Sequence, residues 1–104
     1  MSDDREALET LRQSALAFQA APDGFGPLLD TIGDAQLVLI GEASHGTHEF
    51  YNARAELTKA LIASHGFNFV AVEADWPDAY RVNRWVRLAS SDLDARAALA
   101  DFVR

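Results

Sequence analysis

Two short apolar runs with a long helical pattern between them constrain the fold of this chain more than any other feature of its sequence. The first run, Gln36 to Ile40, is bounded by Asp34 and Gly41, and the second, Phe67 to Val72, follows Gly66. Runs that are apolar throughout are typical of strands buried on both faces of a parallel sheet. A strand, a crossover helix and a second strand within about 40 residues form a βαβ unit. The sequence therefore predicts an α/β fold with parallel strands and flanking helices.

Helical periodicity and helix-stop residues predict the rest of the secondary structure. The predicted helical segments are Asp4 to Ala20, a short turn at Leu28 to Ile32, about His48 to His65, Ala79 to Ala89 after a start at Asp75 to Pro77, and Leu93 to Val103. Gly66 stands where a left-handed C-cap would end the third of these segments. The last segment continues to the final residue, Arg104, without a helix breaker.

The chain of 104 residues has room for about one domain. We divide it into an N-terminal helix and linker (1–27), the βαβ segment with its following helix (28–89) and a C-terminal helix that ends abruptly (90–104). Two parallel strands cannot cover both faces of a sheet or satisfy its outer edges. The sequence therefore predicts a single incomplete domain, the front part of a larger, mostly helical α/β domain. Self-association through uncovered sheet edges is an alternative.

Charge and composition exclude several classes of protein. The chain has 16 acidic and 9 basic side chains and a net charge of −7, which argues against binding to nucleic acid or anionic membranes. It has no cysteine, so disulfides, thiolate metal sites and cysteine nucleophiles are excluded. No apolar stretch has the length of a signal peptide or a membrane span. We expect a cytoplasmic protein with neither nucleic-acid nor membrane partners.

Polar residues follow both predicted strands at the point where each strand ends. Glu42 lies one residue beyond the first run, Glu73 directly ends the second, and His45 lies in the loop before the crossover helix. The carboxyl ends of adjacent parallel strands are about 5 Å apart, and ligands bind at this edge of open parallel sheets. The sequence therefore predicts that two carboxylates and an imidazole share one site.

Arg54 joins this predicted site because it falls on the apolar face of the crossover helix. A half-buried arginine needs an acceptor, and Glu42 and Glu73 are available. The alternative is a packed stem with a solvated guanidinium. Glu42 could likewise only cap the helix, and His45 could be an exposed loop histidine.

Other residues near the predicted site are weaker candidates. Ser44 has one residue too many before it for the nucleophile elbow G-x-S-x-G. His45 and His48 do not have the spacing of H-E-x-x-H, so we expect no metal site. Trp76 and His48 are candidates for substrate binding, although tryptophans more often pack in a core. A solvated basic stripe is predicted on the later helix from Arg81, Arg84 and Arg87.

A longer pattern contains the candidate residues: Gly41 to Phe50, then Arg54, Gly66-Phe67 and Val72 to Trp76. This pattern closely resembles the erythromycin esterase family, over roughly Leu28 to Arg87. The resemblance implies a cofactor-free hydrolase that uses a water nucleophile. Its reaction would be the opening of macrolide lactones, and hence a link to antibiotic resistance, or the uncharacterised esterase-like activity of many family members.

The resemblance also implies a role for each candidate residue in the hydrolysis of a small-molecule ester. His45 would be the general base, Glu42 and Glu73 would orient its imidazole, and Arg54 would order the carboxylates or stabilise the oxyanion. Members of the family are several times longer, so we expect this chain alone to have little or no esterase activity. Two alternatives stay open: a relative that binds a ligand or metal without turnover, and an inactive fragment.

Overall fold

Five helices make up the regular structure of residues 2–21 and 23–102, the part of the chain that this computed structural model describes. They are α1 (Ser2–Ser14), α2 (Gly26–Ile32), α3 (His48–His65), α4 (Trp76–Val86) and α5 (Ala95–Ala98). The chain divides into two compact units, Met1–Asn68 and Phe69–Arg104. Helices α1 to α3 belong to the first unit, and α4 and α5 belong to the second.

The predicted α/β fold with its βαβ unit is wrong, because the described residues contain helices and no β-strand. Residues 36–40 and 67–72 are irregular, and Leu37 and Val72 are exposed. An apolar run supplies only the propensity for a strand, whereas a sheet also needs hydrogen-bonding neighbours, and two strands alone are marginal. In the first unit Val38, Ile40 and Phe67 pack against a helical core instead. The sheet edges that would support self-association are therefore missing from the described part of the chain.

Helix α3 confirms the prediction for the segment between the two apolar runs. It begins at His48 and ends at His65, and Gly66 follows with φ 70° and ψ 18°, in the left-handed region. The backbone N–H of Gly66 donates to the carbonyl of Leu61, which satisfies one of the carbonyl groups that the helix end leaves free. Helix α4 also starts as predicted, with Asp75 at the N-cap and Pro77 in the first turn. Both helices are specified by local sequence.

Three predicted helices are shorter than expected. Helix α4 ends at Val86 instead of Ala89. Helix α1 ends at Ser14 instead of Ala20, and beyond it the ring of Phe18 stacks on Phe25 at a centroid distance of 5.3 Å. At the other end of the chain, the carboxylate of Asp94 accepts a hydrogen bond from the N–H of Ala97 and starts α5 two residues late. The helix then gives way to turns that end at residue 102. The predicted helix end at Val103 and the final residue Arg104 lie outside the described residues.

The core of the first unit is formed by Phe25, Leu57 and Leu61. Phe25 is 1% exposed and lies directly before α2, whereas Leu57 and Leu61 are one turn apart on the same face of α3. Partly buried apolar residues pack around these three: Leu28, Leu29, Ile32, Val38, Ile40, Ala60 and Phe67. This core holds Ile40 on one side of the Gly41–Thr47 loop and α3 on the other, so both ends of the loop are anchored.

Helix α4 is tied to the chain that follows it by an arginine that bonds two aspartates. The guanidinium of Arg81 donates to both carboxylate oxygens of Asp92, at 3.2 and 2.7 Å, and to Asp101 at 2.8 Å. The hydroxyl of Ser90 donates to Asp92 at 2.7 Å. The prediction of a solvated stripe is therefore wrong for Arg81, because its guanidinium is paired with two carboxylates. These partners lie 11 and 20 residues further along the chain, beyond the reach of a helical pattern.

The ion pair between Arg81 and Asp92 makes the stability of the second unit depend on pH. The hydrogen bond from Arg81, and then the one from Ser90, lower the pKa of Asp92 from 3.8 to about 2. Because the folded-state pKa is depressed, the stabilisation is fully present above about pH 4 and is lost as the pH falls towards 2. We expect the melting temperature of the second unit to fall over that interval, and Asp92→Asn to lower it at neutral pH and to remove much of this dependence.

Tryptophan fluorescence can measure this effect, because both tryptophans of the chain, Trp76 and Trp85, lie in the second unit. Asp75→Asn is the matched control, since Asp75 also lies in the second unit, is exposed and makes no side-chain hydrogen bond within the described residues. Equal acid sensitivity of the wild type and Asp92→Asn would contradict the prediction.

Candidate functional site

The Gly41–Thr47 loop connects the core residue Ile40 to the N-terminus of α3. Gly46 has a φ of 80°, a left-handed conformation that glycine adopts without the steric cost of a Cβ atom. Thr47 is the N-cap of α3, and its hydroxyl is hydrogen-bonded to the hydroxyl of Ser44. This pairing closes the last turn of the loop directly before the helix. It also engages Ser44 with a second hydroxyl, which is not a general base.

Glu42 and His45 meet in this loop, as the sequence predicts. The Nδ1 atom of His45 lies 3.0 Å from Oε1 of Glu42. A carboxylate only accepts hydrogen bonds, so Nδ1 is the donor; when the imidazole is neutral, its lone pair is on Nε2. The His45 side chain is 92% exposed and that of Glu42 is 41% exposed, so the imidazole is open to solvent. An imidazole in this tautomer can accept a proton at Nε2.

Tyr51 completes this group of residues, although it was not among the residues predicted from the sequence. Its hydroxyl donates to Oε1 of Glu42 at 3.0 Å and accepts a hydrogen bond from the backbone N–H of Gly46 at 2.8 Å. Tyr51 lies one turn after Thr47 and three residues before Arg54, on the side of α3 that faces the loop. Its spacing from those two residues is the signal that could have identified it.

Glu42 carries a stabilised negative charge. The hydrogen bond from Tyr51 is the largest cause that lowers the pKa of Glu42, and the hydrogen bond and charge of His45 act in the same direction. The positive charge of Arg54 adds a smaller effect, while desolvation opposes all three. Glu42 is therefore ionised and able to accept a hydrogen bond from His45 at neutral pH.

Arg54 is half-buried on α3, but it does not make the predicted contact with a carboxylate. Within the described residues its guanidinium makes no hydrogen bond and no ion pair. Its backbone carbonyl accepts a hydrogen bond from the hydroxyl of Thr58. Its influence on Glu42 is an effect of charge alone. The role of Arg54 in ordering carboxylates or stabilising an oxyanion stays a prediction.

The other three candidates are exposed. His48 is the first residue of α3. Glu73 and Trp76 lie in the second unit. Trp76 is 75% exposed, and its ring lies tilted against that of Tyr80 with the centroids 6.3 Å apart. Without the predicted strands, the described residues contain no sheet edge that would bring Glu73 beside Glu42. The catalytic role of Glu73 and the substrate-binding roles of Trp76 and His48 stay predictions.

Two general features of the described residues bear on the kind of site this is. They contain no group of three or more histidine, aspartate or glutamate side chains arranged to hold a metal ion. None of their helices is long and apolar enough to cross a membrane. The groups that the structure does bring together are an imidazole, an ionised carboxylate, a phenol and a backbone N–H.

Comparison with known proteins relates this chain to erythromycin esterases. The sequence model of the family described as erythromycin esterase matches residues 62–104. Erythromycin esterase type II of Escherichia coli is 34% identical over 70 residues, which are 67% of this chain and 17% of that protein. Erythromycin esterase type I of Escherichia coli is 37% identical over 62 residues, or 60% of this chain and 15% of that protein. No solved structure matches significantly.

This chain belongs to the erythromycin esterase family. It spans about one sixth of the length of the curated relatives that it matches. The match to the family model includes Glu73 and Trp76 and begins after the Gly41–Thr47 loop. Any functional assignment of Glu42, His45 and Tyr51 therefore rests on the geometry described above.

Proposed function

We propose that this chain supplies the general base of an ester hydrolase, with His45 as the base and Glu42 as the residue that orients it. The hydrogen bond between Nδ1 of His45 and Oε1 of Glu42 carries this proposal. It leaves Nε2 as the free proton acceptor on a side chain that solvent and substrate can both reach. The esterase names of the related proteins supply the reaction class.

The reaction begins when a water molecule is held by Nε2 of His45. As the water oxygen attacks the ester carbonyl carbon, Nε2 takes one of the water protons, and the carbonyl oxygen becomes an oxyanion. The imidazolium that forms is stabilised by the ionised carboxylate of Glu42 on its other nitrogen. When the bond between carbon and the leaving oxygen breaks, Nε2 returns the proton to that oxygen. The products are a carboxylic acid and an alcohol, or one hydroxy acid from a lactone.

A water nucleophile agrees with the surroundings of Ser44. Its hydroxyl is hydrogen-bonded to Thr47 instead of to His45, so no base is in place to activate it. Arg54 is the cation of this region and would stabilise the oxyanion if substrate binding brings the two together. Glu73, Trp76 and His48 are proposed as further contributors to the site, Glu73 as a second carboxylate and the other two as substrate contacts.

The proposed substrate class is the macrolactones, because the two related proteins are named for erythromycin. Ring opening of a macrolide would give the protein a role in antibiotic resistance, and we propose a cytoplasmic location for it because the chain has no cysteine. The complete enzyme needs walls that enclose the substrate. The chain spans 17% of the type II enzyme, so we place those walls in further sequence of the kind that the relatives contain.

A chimeric enzyme tests this proposal. The 70 matched residues of this chain would replace the corresponding segment of the Escherichia coli type II enzyme. The product would be detected by mass spectrometry as erythromycin plus one water. We expect the chimera to form this product and the chain alone to form little or none. The unaltered type II enzyme serves as the positive control. A chimera that folds with the helical content of that enzyme but forms no ring-opened product would contradict the proposal.

A further inference from the structure

We infer that Tyr51 is a positioning residue that holds the Glu42 carboxylate against Nδ1 of His45 and so fixes the imidazole as a base. This inference rests on the function proposed above and extends it to a residue outside the predicted site. The hydroxyl of Tyr51 connects two fixed points, the backbone N–H of Gly46 and Oε1 of Glu42, at 2.8 and 3.0 Å.

Without Tyr51, the pair of Glu42 and His45 would have little to hold it in one geometry. Both side chains are exposed, and an exposed ion pair gains little free energy while it costs side-chain entropy. A glutamate has three rotatable side-chain bonds, so its carboxylate can leave the imidazole easily. Tyrosine is rigid by comparison, and the backbone of Tyr51 lies in the first turn of α3, where its N–H donates to the carbonyl of Thr47. The phenol therefore gives the carboxylate a partner with a fixed position.

The direction of the hydrogen bonds makes the contribution of Tyr51 specific to its hydroxyl. The N–H of Gly46 donates to the phenol oxygen, so the phenol proton is the one that points to Glu42. A hydroxyl that accepts one hydrogen bond becomes a better donor of the next, and a bond to a carboxylate is strengthened by its charge. Phenylalanine would keep the ring and its contacts but could neither accept from Gly46 nor donate to Glu42.

Three groups act on Glu42 among the described residues: His45 from the loop, and Tyr51 and Arg54 from α3. The hydrogen bond from Tyr51 favours the charged form of Glu42, so its removal raises the pKa of that carboxyl group. The other two groups are unchanged in Tyr51→Phe. A shift in the titration of Glu42 in this variant therefore reports the loss of one identified bond.

NMR spectroscopy on the chain tests the inference directly. The side-chain carboxyl carbon of Glu42 is followed from acid to neutral pH in the wild type, in Tyr51→Phe and in the control Tyr80→Phe, whose hydroxyl makes no hydrogen bond in the described residues. We expect a higher midpoint for Glu42 and faster hydrogen exchange at the Gly46 amide in Tyr51→Phe only, with unchanged helical content. If the Glu42 titration midpoint and the Gly46 exchange rate of Tyr51→Phe equal those of the wild type, the inference is overturned.

Hydrolysis by the chimera separates this inference from the proposed function. We expect Tyr51→Phe to lower kcat about 10-fold with little change in KM, as for the loss of one hydrogen bond to a charged group. If His45→Ala keeps full activity, the proposed function is wrong, whatever the NMR result. If His45→Ala is inactive and Tyr51→Phe has the kcat of the wild type, the inference about Tyr51 alone is overturned.

Discussion

Replacing His45 with alanine is expected to reduce ester hydrolysis by the chimeric enzyme about 10²- to 10⁴-fold, the usual contribution of a general base. Alanine removes the only imidazole that is bonded to Glu42 in the described residues, and with it the acceptor at Nε2. The side chain is 92% exposed, so the substitution should leave the fold and the melting temperature nearly unchanged. Turnover would be measured with erythromycin and with a small chromogenic ester.

His65→Ala is the matched control for this variant. His65 also belongs to the first unit, but it lies at the end of α3 and is hydrogen-bonded to Ser64. We expect its turnover to stay within a few-fold of the wild type. Binding of a non-hydrolysable analogue should persist in His45→Ala, which would distinguish a catalytic base from a residue needed for binding. Activity of His45→Ala close to that of the wild type would exclude the role as general base.

Replacing Phe25 with alanine should unfold the first unit or leave it marginal. Phe25 is 1% exposed and contacts the ring of Phe18 as well as the core that includes Leu57 and Leu61. Truncation of a buried phenylalanine costs about 3–5 kcal/mol, while whole domains are stable by only about 5–15 kcal/mol. We expect a large fall in the urea midpoint followed by circular dichroism of the helices.

Phe69→Ala provides the comparison, since this phenylalanine is 79% exposed. Its removal takes little apolar surface out of a protein interior, so the urea midpoint should change slightly. If Phe25→Ala and Phe69→Ala have similar midpoints, Phe25 does not have the central place in the core that the structure gives it.

Local signals in the sequence were sufficient to predict the longest helix but not the sheet. The pattern that starts at His48 and the glycine at position 66 act through neighbouring residues, and α3 has the predicted bounds. A strand, by contrast, depends on partners elsewhere in the chain. The runs at 36–40 and 67–72 have the composition of strands, yet in the structure they are irregular. Val38, Ile40 and Phe67 are partly buried against the core of the first unit instead.

The same distinction applies to the candidate site. The contact between Glu42 and His45 joins residues three apart in one loop, so it forms although the described residues lack the sheet on which the predicted site rested. The predicted position of Glu73 beside Glu42 depended on a sheet, and the described residues contain none. Tyr51 was missed because tyrosine has no chemistry that stands out in a sequence, and its function comes from the position of its hydroxyl between Gly46 and Glu42.

The hydrogen bonds of the candidate site join only residues 42–51. Closing so short a segment has a low entropic cost, and contacts this local can form together with the first turns of α3. The acid–base geometry is thus encoded separately from the surface that would select a substrate. Under the proposed function, substitutions in a substrate pocket would change which ester is accepted and leave the proposed proton-transfer group intact, so a single ten-residue segment would serve relatives with different specificities.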